Sequence, residues 1–87
     1  MALAYCMPNG VIRLGWHMPA GAQLIVQHGD LFTLSAALTR HAKVSDDKET
    51  YLLPIAAGET QAAALAKFRD RIKNHISLAA ARGKEGL

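Results

Sequence analysis

Residues 3–15, LAYCMPNGVIRLG, contain two short apolar runs, one on each side of Pro8-Asn9-Gly10. An Asn-Gly pair between two such runs is the strongest short hairpin signal, because both residues tolerate the positive φ angles of a type I′ turn. We therefore predict that the chain begins with a β-hairpin closed by a type I′ turn.

Two further strands are expected downstream of this hairpin. Residues 22–27 contain the apolar, β-branched stretch Leu24-Ile25-Val26, which predicts a third strand that Gly29 closes. Residues 51–55, YLLPI, predict a fourth strand. Pro54 has no N–H to donate, so this strand is expected to lie at an edge or to end there. The charge-dense residues 43–50 between them favour an exposed loop.

The hydrophobic period changes to that of a helix after Asp30. A first helix is predicted over residues 31–42, with Asp30 as its N-cap. A second, longer helix is predicted from Thr60 to Ala81 and ended by Gly83. Its apolar side is formed by residues spaced three or four apart, namely Leu65, Phe68, Ile72, Ile76 and Ala79.

The element order strand, strand, strand, helix, strand, helix predicts an α+β protein. We expect a small antiparallel sheet of three to four strands with both helices packed on one face. Its 87 residues correspond to a single domain, residues 1–87. Such a small domain buries only about 60% of its unfolded surface. A second copy of the chain is therefore a candidate partner.

Several sequence features favour a cytoplasmic protein. Cys6 is the only cysteine, whereas a secreted domain of this length normally needs two or more disulfides. The apolar N-terminal run lacks a basic region and is stopped by Pro8, so we do not expect a signal peptide. Charged residues interrupt every candidate membrane-spanning stretch, and no membrane association is expected.

No arrangement of residues indicates catalysis, so we expect the protein not to be an enzyme and to need no cofactor. The four histidines, His17, His28, His41 and His75, lack the spacing that places two metal ligands on one helix face, and no metal site is expected. His41 is instead expected to complement the dipole at the end of its helix. Cys6 lies inside an apolar strand without a neighbouring base, which favours a buried thiol.

The second helix carries most of the positive charge. Residues 61–87 hold six of the ten Lys and Arg residues but only two of the seven Asp and Glu residues. Lys67 and Arg71 are four residues apart, as are Arg69 and Lys73, so they form two neighbouring pairs on the helix surface. These four cations are candidates for binding phosphates or an acidic protein surface. The alternative is an ordinary solvated helix face.

Trp16 is the remaining candidate for partner binding. It precedes His17, Met18 and Pro19 in a segment without regular periodicity. Tryptophan is common both in cores and at contact surfaces, so the sequence leaves both roles open.

An ordered set of short motifs resembles the small phage and prophage proteins labelled host-nuclease inhibitors. The motifs span most of the chain: Ala4-Tyr5-Cys6, Asn9-Gly10, Ile12-Arg13-Leu14-Gly15, Pro19-Ala20-Gly21-Ala22, Arg40-His41-Ala42 and Thr50-Tyr51-Leu52-Leu53-Pro54. The resemblance implies a cytoplasmic, phage-encoded protein that protects linear DNA by binding a bacterial host nuclease.

Three other functions remain open at this point. An inhibitor of a nucleic-acid-guided defence complex, of the anti-CRISPR type, would have the same sequence features. A small basic DNA-binding accessory protein would use the charged helix on phosphates. A homodimeric assembly domain would close an apolar patch. A net charge of +3 argues against mimicry of DNA and favours direct binding to an acidic patch or to DNA ends.

Overall fold

The computed structural model describes the backbone of residues 1–85 and the side chains of residues 1–77. This range contains, in chain order, β1 (Ala2–Cys6), β2 (Val11–Gly15), β3 (Gln23–His28), α1 (Leu31–His41), β4 (Lys43–Val44), β5 (Tyr51–Leu52) and α2 (Gln61–Glu85). Neighbouring strands are antiparallel and lie in the order β3-β1-β2-β5-β4. The α+β class is confirmed, but the described sheet has five strands rather than three to four.

The predicted first hairpin is present, but its turn is of another type. The N–H of Gly10 donates to the carbonyl of Met7 at 2.9 Å. The N–H of Met7 donates to the carbonyl of Val11 at 2.7 Å. Gly10 has a φ of +85°, whereas Asn9 does not have a positive φ. A type I′ turn needs positive φ at both central residues. Because the bond joins Met7 to Gly10, the central residues of the turn are Pro8 and Asn9. Pro8 excludes type I′, because its ring holds φ at about −65°.

A second, shorter hairpin formed by β4 and β5 replaces part of the loop predicted for residues 43–50. Lys43–Val44 pairs with Tyr51–Leu52. Asp47 closes the connection, since its carboxylate accepts two backbone N–H groups at 2.9 Å each. Lys48 takes the left-handed conformation, with a φ of +61°. The sequence marks this stretch as a loop, but with lysine where glycine is usual it carries no hairpin signal, and β4 is therefore not predicted.

The strand predicted over residues 51–55 is also shorter than expected. It covers only Tyr51–Leu52, so it ends before Pro54 and does not reach Ile55. It lies inside the sheet between β2 and β4 rather than at an edge. Proline thus ends the ladder, as its missing N–H requires.

Both helices begin at capping residues. The Asp30 carboxylate accepts the N–H of Phe32 at 2.9 Å, which confirms the predicted N-cap of α1. The hydroxyl of Thr60 accepts the N–H of Ala63 at 3.2 Å and caps α2. Such caps satisfy backbone donors that have no partner within the helix.

The predicted helix ends need correction. Helix α1 ends at His41, and Ala42 already has an extended conformation. Helix α2 continues through Gly83 to Glu85, so the predicted end between Ala81 and Gly83 was wrong. Glycine costs only about 1 kcal/mol inside a helix, and it does not force the helix to stop.

One core joins both helices to the same face of the sheet. Its largest members from α2 are Phe68 and Ile72, which are 2% and 0% exposed. The small side chains of Ala4 and Cys6 on the internal strand β1 leave room for α1, which packs against this strand. The buried cluster comprises Ala4, Cys6, Ile12, Ile25, Ala37, Leu38, Tyr51, Leu53, Ala64, Leu65, Phe68 and Ile72. The predicted α2 stripe is confirmed through Ile76, which packs against this cluster, whereas the Ala79 side chain lies outside the described residues.

The connection between β2 and β3 determines where Trp16 lies. Both strands are antiparallel to β1, so they are parallel to each other, and residues 16–22 must return along the length of β1 between them. The segment starts beside Gly15 and reaches Pro8, since a Cβ placed on Gly21 would lie 3.7 Å from the Pro8 ring. Trp16 therefore leaves the end of an internal strand and enters an irregular surface segment.

Candidate functional site

The four predicted cations of α2 do not form a single surface. Successive helical residues are rotated by about 100°, so Lys67 and Arg69 point about 200° apart, one on each side of buried Phe68. Their partners at i+4, Arg71 and Lys73, follow the same division. The helix therefore presents two basic pairs on opposite sides of its buried stripe.

Lys67 and Arg71 line a groove against the segment before α2. Pro54, Ile55 and Glu59 supply most of its opposite wall, and its volume is about 360 Å³. The Lys67 ammonium forms an ion pair with Glu59. The hydrogen bond from Lys67, supported by the N–H of Ala56, holds the pKa of the Glu59 carboxyl below its usual value. Part of the charge on this side of α2 is thus already neutralised.

Arg69 and Lys73 line a second groove, along strand β3. An Arg69 guanidinium N–H donates to the backbone carbonyl of Leu24 at 2.8 Å. Residues 24–27 form the strand side of the groove, whose volume is about 360 Å³. Arg69 is half-buried by this contact, whereas Lys73 is exposed. We call this feature the β3 groove.

Trp16 belongs to a third, separate cleft. The indole is 56% exposed, so Trp16 is a surface residue and not part of the core. The cleft has a volume of about 430 Å³ and lies between the end of β2, the start of α1 and the β4–β5 turn. Its lining residues are Arg13, Leu14, Gly15, Trp16, Leu31, Ser35, Lys48, Glu49 and Tyr51. We call it the Trp16 cleft.

The Trp16 cleft combines a buried tyrosine at its base with charged residues at its rim. Tyr51 is buried beneath it, and its hydroxyl lies 3.3 Å from that of Ser35. Arg13 and Lys48 contribute positive charge and Glu49 negative charge at the rim. Aromatic and arginine side chains are enriched at protein contact surfaces.

Sequence reasoning did not predict the two exposed apolar residues that begin α1. Phe32 is 80% exposed and Leu31 is 38% exposed. The available signal was positional, because Phe32 falls off the stripe that runs through Leu34 and Leu38 and so must point away from the core. Phe32 is therefore a surface residue that does not belong to the core.

Cys6, His41 and His75 lie outside the two grooves of α2 and the Trp16 cleft. Cys6 is buried, and burial raises the pKa of its thiol, as expected for an apolar strand residue. The rings of His41 and His75 meet with centroids 5.2 Å apart. Desolvation lowers the pKa of His41, as do the positive charges of His75, Arg71 and Arg40. His41 is thus poorly suited to the cationic role predicted at the end of α1.

Among the described residues, no group of three or more His, Cys, Asp or Glu side chains is arranged to hold a metal ion. Neither α1 nor α2, over the residues described, has the length and apolar composition to cross a membrane.

Comparison with known proteins gives no relative from which a role can be transferred. No family model matches the chain, and no curated protein or solved structure matches it either. The functional conclusion therefore depends on the surfaces described above and on the sequence motifs.

Proposed function

We propose that the chain is a non-catalytic binding protein, encoded by a phage or prophage, that blocks a bacterial host nuclease by occupying part of its surface. The observation that carries the binding role is the 56% exposure of Trp16 inside a cleft that also holds Arg13 and Leu31. The nuclease as partner comes from the resemblance of the sequence motifs to host-nuclease inhibitors.

The composition of the Trp16 cleft supports its use as a binding anchor. Tryptophan and arginine dominate binding hot spots, because they bury large surfaces at the centre of an interface and form directed contacts. Leu31 adds an apolar neighbour that gains from the exclusion of water. A partner side chain that enters this cleft would cover the exposed indole.

Charge is consistent with direct binding rather than with imitation of DNA. The net charge of the chain is +3, whereas a DNA mimic needs a negative surface. Arg71 and Lys73 are exposed, and among the side chains of residues 1–77 they take part in no ion pair. A basic inhibitor would be steered toward an acidic surface of the nuclease, and its association rate would fall as salt is added.

The test is protection of linear DNA in a bacterial extract. A fluorescent linear fragment is degraded by the extract, and the purified protein is expected to slow this degradation in proportion to its concentration. The Trp16→Ala variant should need about 30-fold more protein, because loss of a hot spot costs about 2 kcal/mol or more. The His17→Ala variant, which changes an exposed neighbour, is the matched control.

The outcomes separate cleanly. Loss of protection with Trp16→Ala but not with His17→Ala supports the proposal, and mass spectrometry of the material that co-purifies then identifies the nuclease. Recovery of a nucleic-acid-guided complex would assign the anti-CRISPR alternative. Degradation at an unchanged rate, or equal protection by wild type and Trp16→Ala, would overturn the proposed role of the cleft.

Two exposed cations, Arg71 and Lys73, one on each side of the buried stripe of α2, support one second candidate, a small DNA-binding accessory protein. Phosphate binding by these side chains would weaken steeply with salt. Double charge reversal, Arg71→Glu with Lys73→Glu, would then abolish a shift of purified DNA, whereas Trp16→Ala would leave it unchanged. The inhibitor proposal expects no such shift at physiological salt.

A further inference from the structure

Strand β3 has a free edge with accessible backbone groups. It is the outermost strand of the sheet on its side and pairs only with β1 within the described residues. Unpaired N–H and C=O groups of an edge strand are a template for a further strand. The outward carbonyl of Leu24 already accepts Arg69, so the unpaired part of this edge lies beyond it, in the stretch that keeps a regular register with β1 through His28.

The hydrogen-bond alternation identifies which residues face outward. Met7 bonds across to Val11 of the first hairpin, and bonded pairs alternate along an antiparallel ladder. Leu3, four residues before Met7 in the chain, therefore turns its backbone N–H and C=O toward β2 and not toward β3. Its partner in β3, Gln27, has no bond to make to β1 and turns its own N–H and C=O outward. The contact of Arg69 with the Leu24 carbonyl shows directly that Leu24 faces the same way.

The groove beside this edge is positively charged. Its lining residues include Arg69 and Lys73 and no carboxylate. The Arg69 guanidinium uses one N–H on the Leu24 carbonyl, and an arginine has five such donors. The remaining donors and the Lys73 ammonium suit carboxylates, which accept bidentate hydrogen bonds from arginine.

We propose that the β3 groove docks an extended acidic peptide segment, which adds a sixth strand beside β3 and places its carboxylates against Arg69 and Lys73. Backbone hydrogen bonds to Gln27 would supply affinity, and the two cations would select the acidic sequence. This inference rests on the proposed function, because it specifies the chemistry of the segment that the partner protein presents.

A second copy of the chain fits this edge less well. Two copies paired edge to edge would bring Arg69 and Lys73 of each toward the same cations of the other. An acidic strand is instead attracted to this edge, because its carboxylates meet the Arg69 and Lys73 cations.

The probe is a fluorescein-labelled octapeptide of alternating Val and Glu, and the control is the same peptide with Lys in place of Glu. Fluorescence anisotropy with the full-length protein should show saturable binding of the acidic peptide only. The Lys73→Glu variant should weaken binding by about tenfold or more. Equal binding of the two peptides, or no binding of the acidic one, would overturn the proposal.

The backbone part of the proposal has its own test. Gln27→Pro removes the outward N–H and leaves the bonds to β1 in place, because an edge strand tolerates proline where the N–H faces outward. It should abolish binding of the acidic peptide, whereas Gln23→Ala, which changes an exposed residue of the same strand outside the groove, should bind like wild type. If Gln27→Pro fails to fold, an acidic peptide N-methylated on alternate residues is used with the wild-type protein and should not bind.

The two proposals fail in distinguishable ways. Protection of linear DNA without binding of the acidic peptide would contradict the proposed peptide binding by the β3 groove, and it would still support the inhibitor role. Binding of the acidic peptide without protection of linear DNA would overturn the nuclease as partner and support the groove.

Discussion

The imidazole rings of His41, the last residue of α1, and His75, within α2, meet edge to face with their centroids 5.2 Å apart. The Nε2 atom of His41 is buried and has no hydrogen-bond partner within the described structure. Burial and the positive charges of His75, Arg71 and Arg40 lower the pKa of His41 from its ordinary value of 6.5. The packing between the helices therefore favours a neutral ring.

Stability is accordingly expected to fall as the pH falls below 6.5. In this range the unfolded chain binds a proton at His41 that the folded chain binds less readily, so protonation favours unfolding. The His41→Gln variant should show a smaller loss of Tm between neutral and mildly acidic pH, followed by circular dichroism. His17→Gln, at an exposed site, is the control and should follow wild type. An unchanged slope in His41→Gln would contradict this assignment.

The two phenylalanines should respond in opposite ways to truncation. Phe68 is 2% exposed and Phe32 is 80% exposed. Phe68→Ala is expected to destabilise the fold by about 3–5 kcal/mol, because it leaves a cavity in the core. Phe32→Ala should change the free energy of unfolding by less than about 0.5 kcal/mol. Urea denaturation measures both, and similar losses in the two variants would contradict the packing described here.

Glycine is required in the first turn but not before α1. Gly10 has a φ of +85°, where an L-residue costs about 1–2 kcal/mol. Gly29 does not have a positive φ, and a Cβ there would meet nothing within 4 Å. Gly10→Ala should therefore lower the free energy of unfolding by about 1–2 kcal/mol. Gly29→Ala should leave it unchanged or raise it by up to about 1 kcal/mol. Chemical denaturation of both variants tests the difference.

Trp16 provides its own spectroscopic report, since it is the only tryptophan. With 56% of its surface exposed, its fluorescence should be quenched readily by acrylamide in the free protein. Addition of the target should reduce this quenching and shift the emission to shorter wavelength. A purified complex in which Trp16 is as accessible as in the free protein would place the contact elsewhere.

Local physics was sufficient to predict the helices and the first hairpin. The stripe of Leu65, Phe68 and Ile72 predicted α2, because residues three or four apart share one side of a helix. Asp30 predicted the start of α1, because its carboxylate accepts an N–H that the helix leaves unpaired. Each signal lies within a few residues of the feature that it specifies.

Features that depend on distant parts of the chain were not predictable in this way. The charge pattern of α2 identified Arg69, but its hydrogen bond needs the Leu24 carbonyl, which is 45 residues away. The exposure of Trp16 likewise follows from the strand order, which places the start of the crossover at the surface. Strand β4 was missed because its hairpin depends on Asp47 and on a left-handed Lys48, and no Gly or Asn marks the turn.

The position of α2 after all five described strands has a consequence for synthesis on the ribosome. The sheet is complete in sequence at Leu52, but the core also needs Leu65, Phe68 and Ile72. At about 5–20 residues per second, about one to four seconds separate the synthesis of Leu52 from that of Ile72. Until α2 is available, the strands lack the side chains that complete their core, and a chaperone or a second nascent chain has the opportunity to bind them before the helix does.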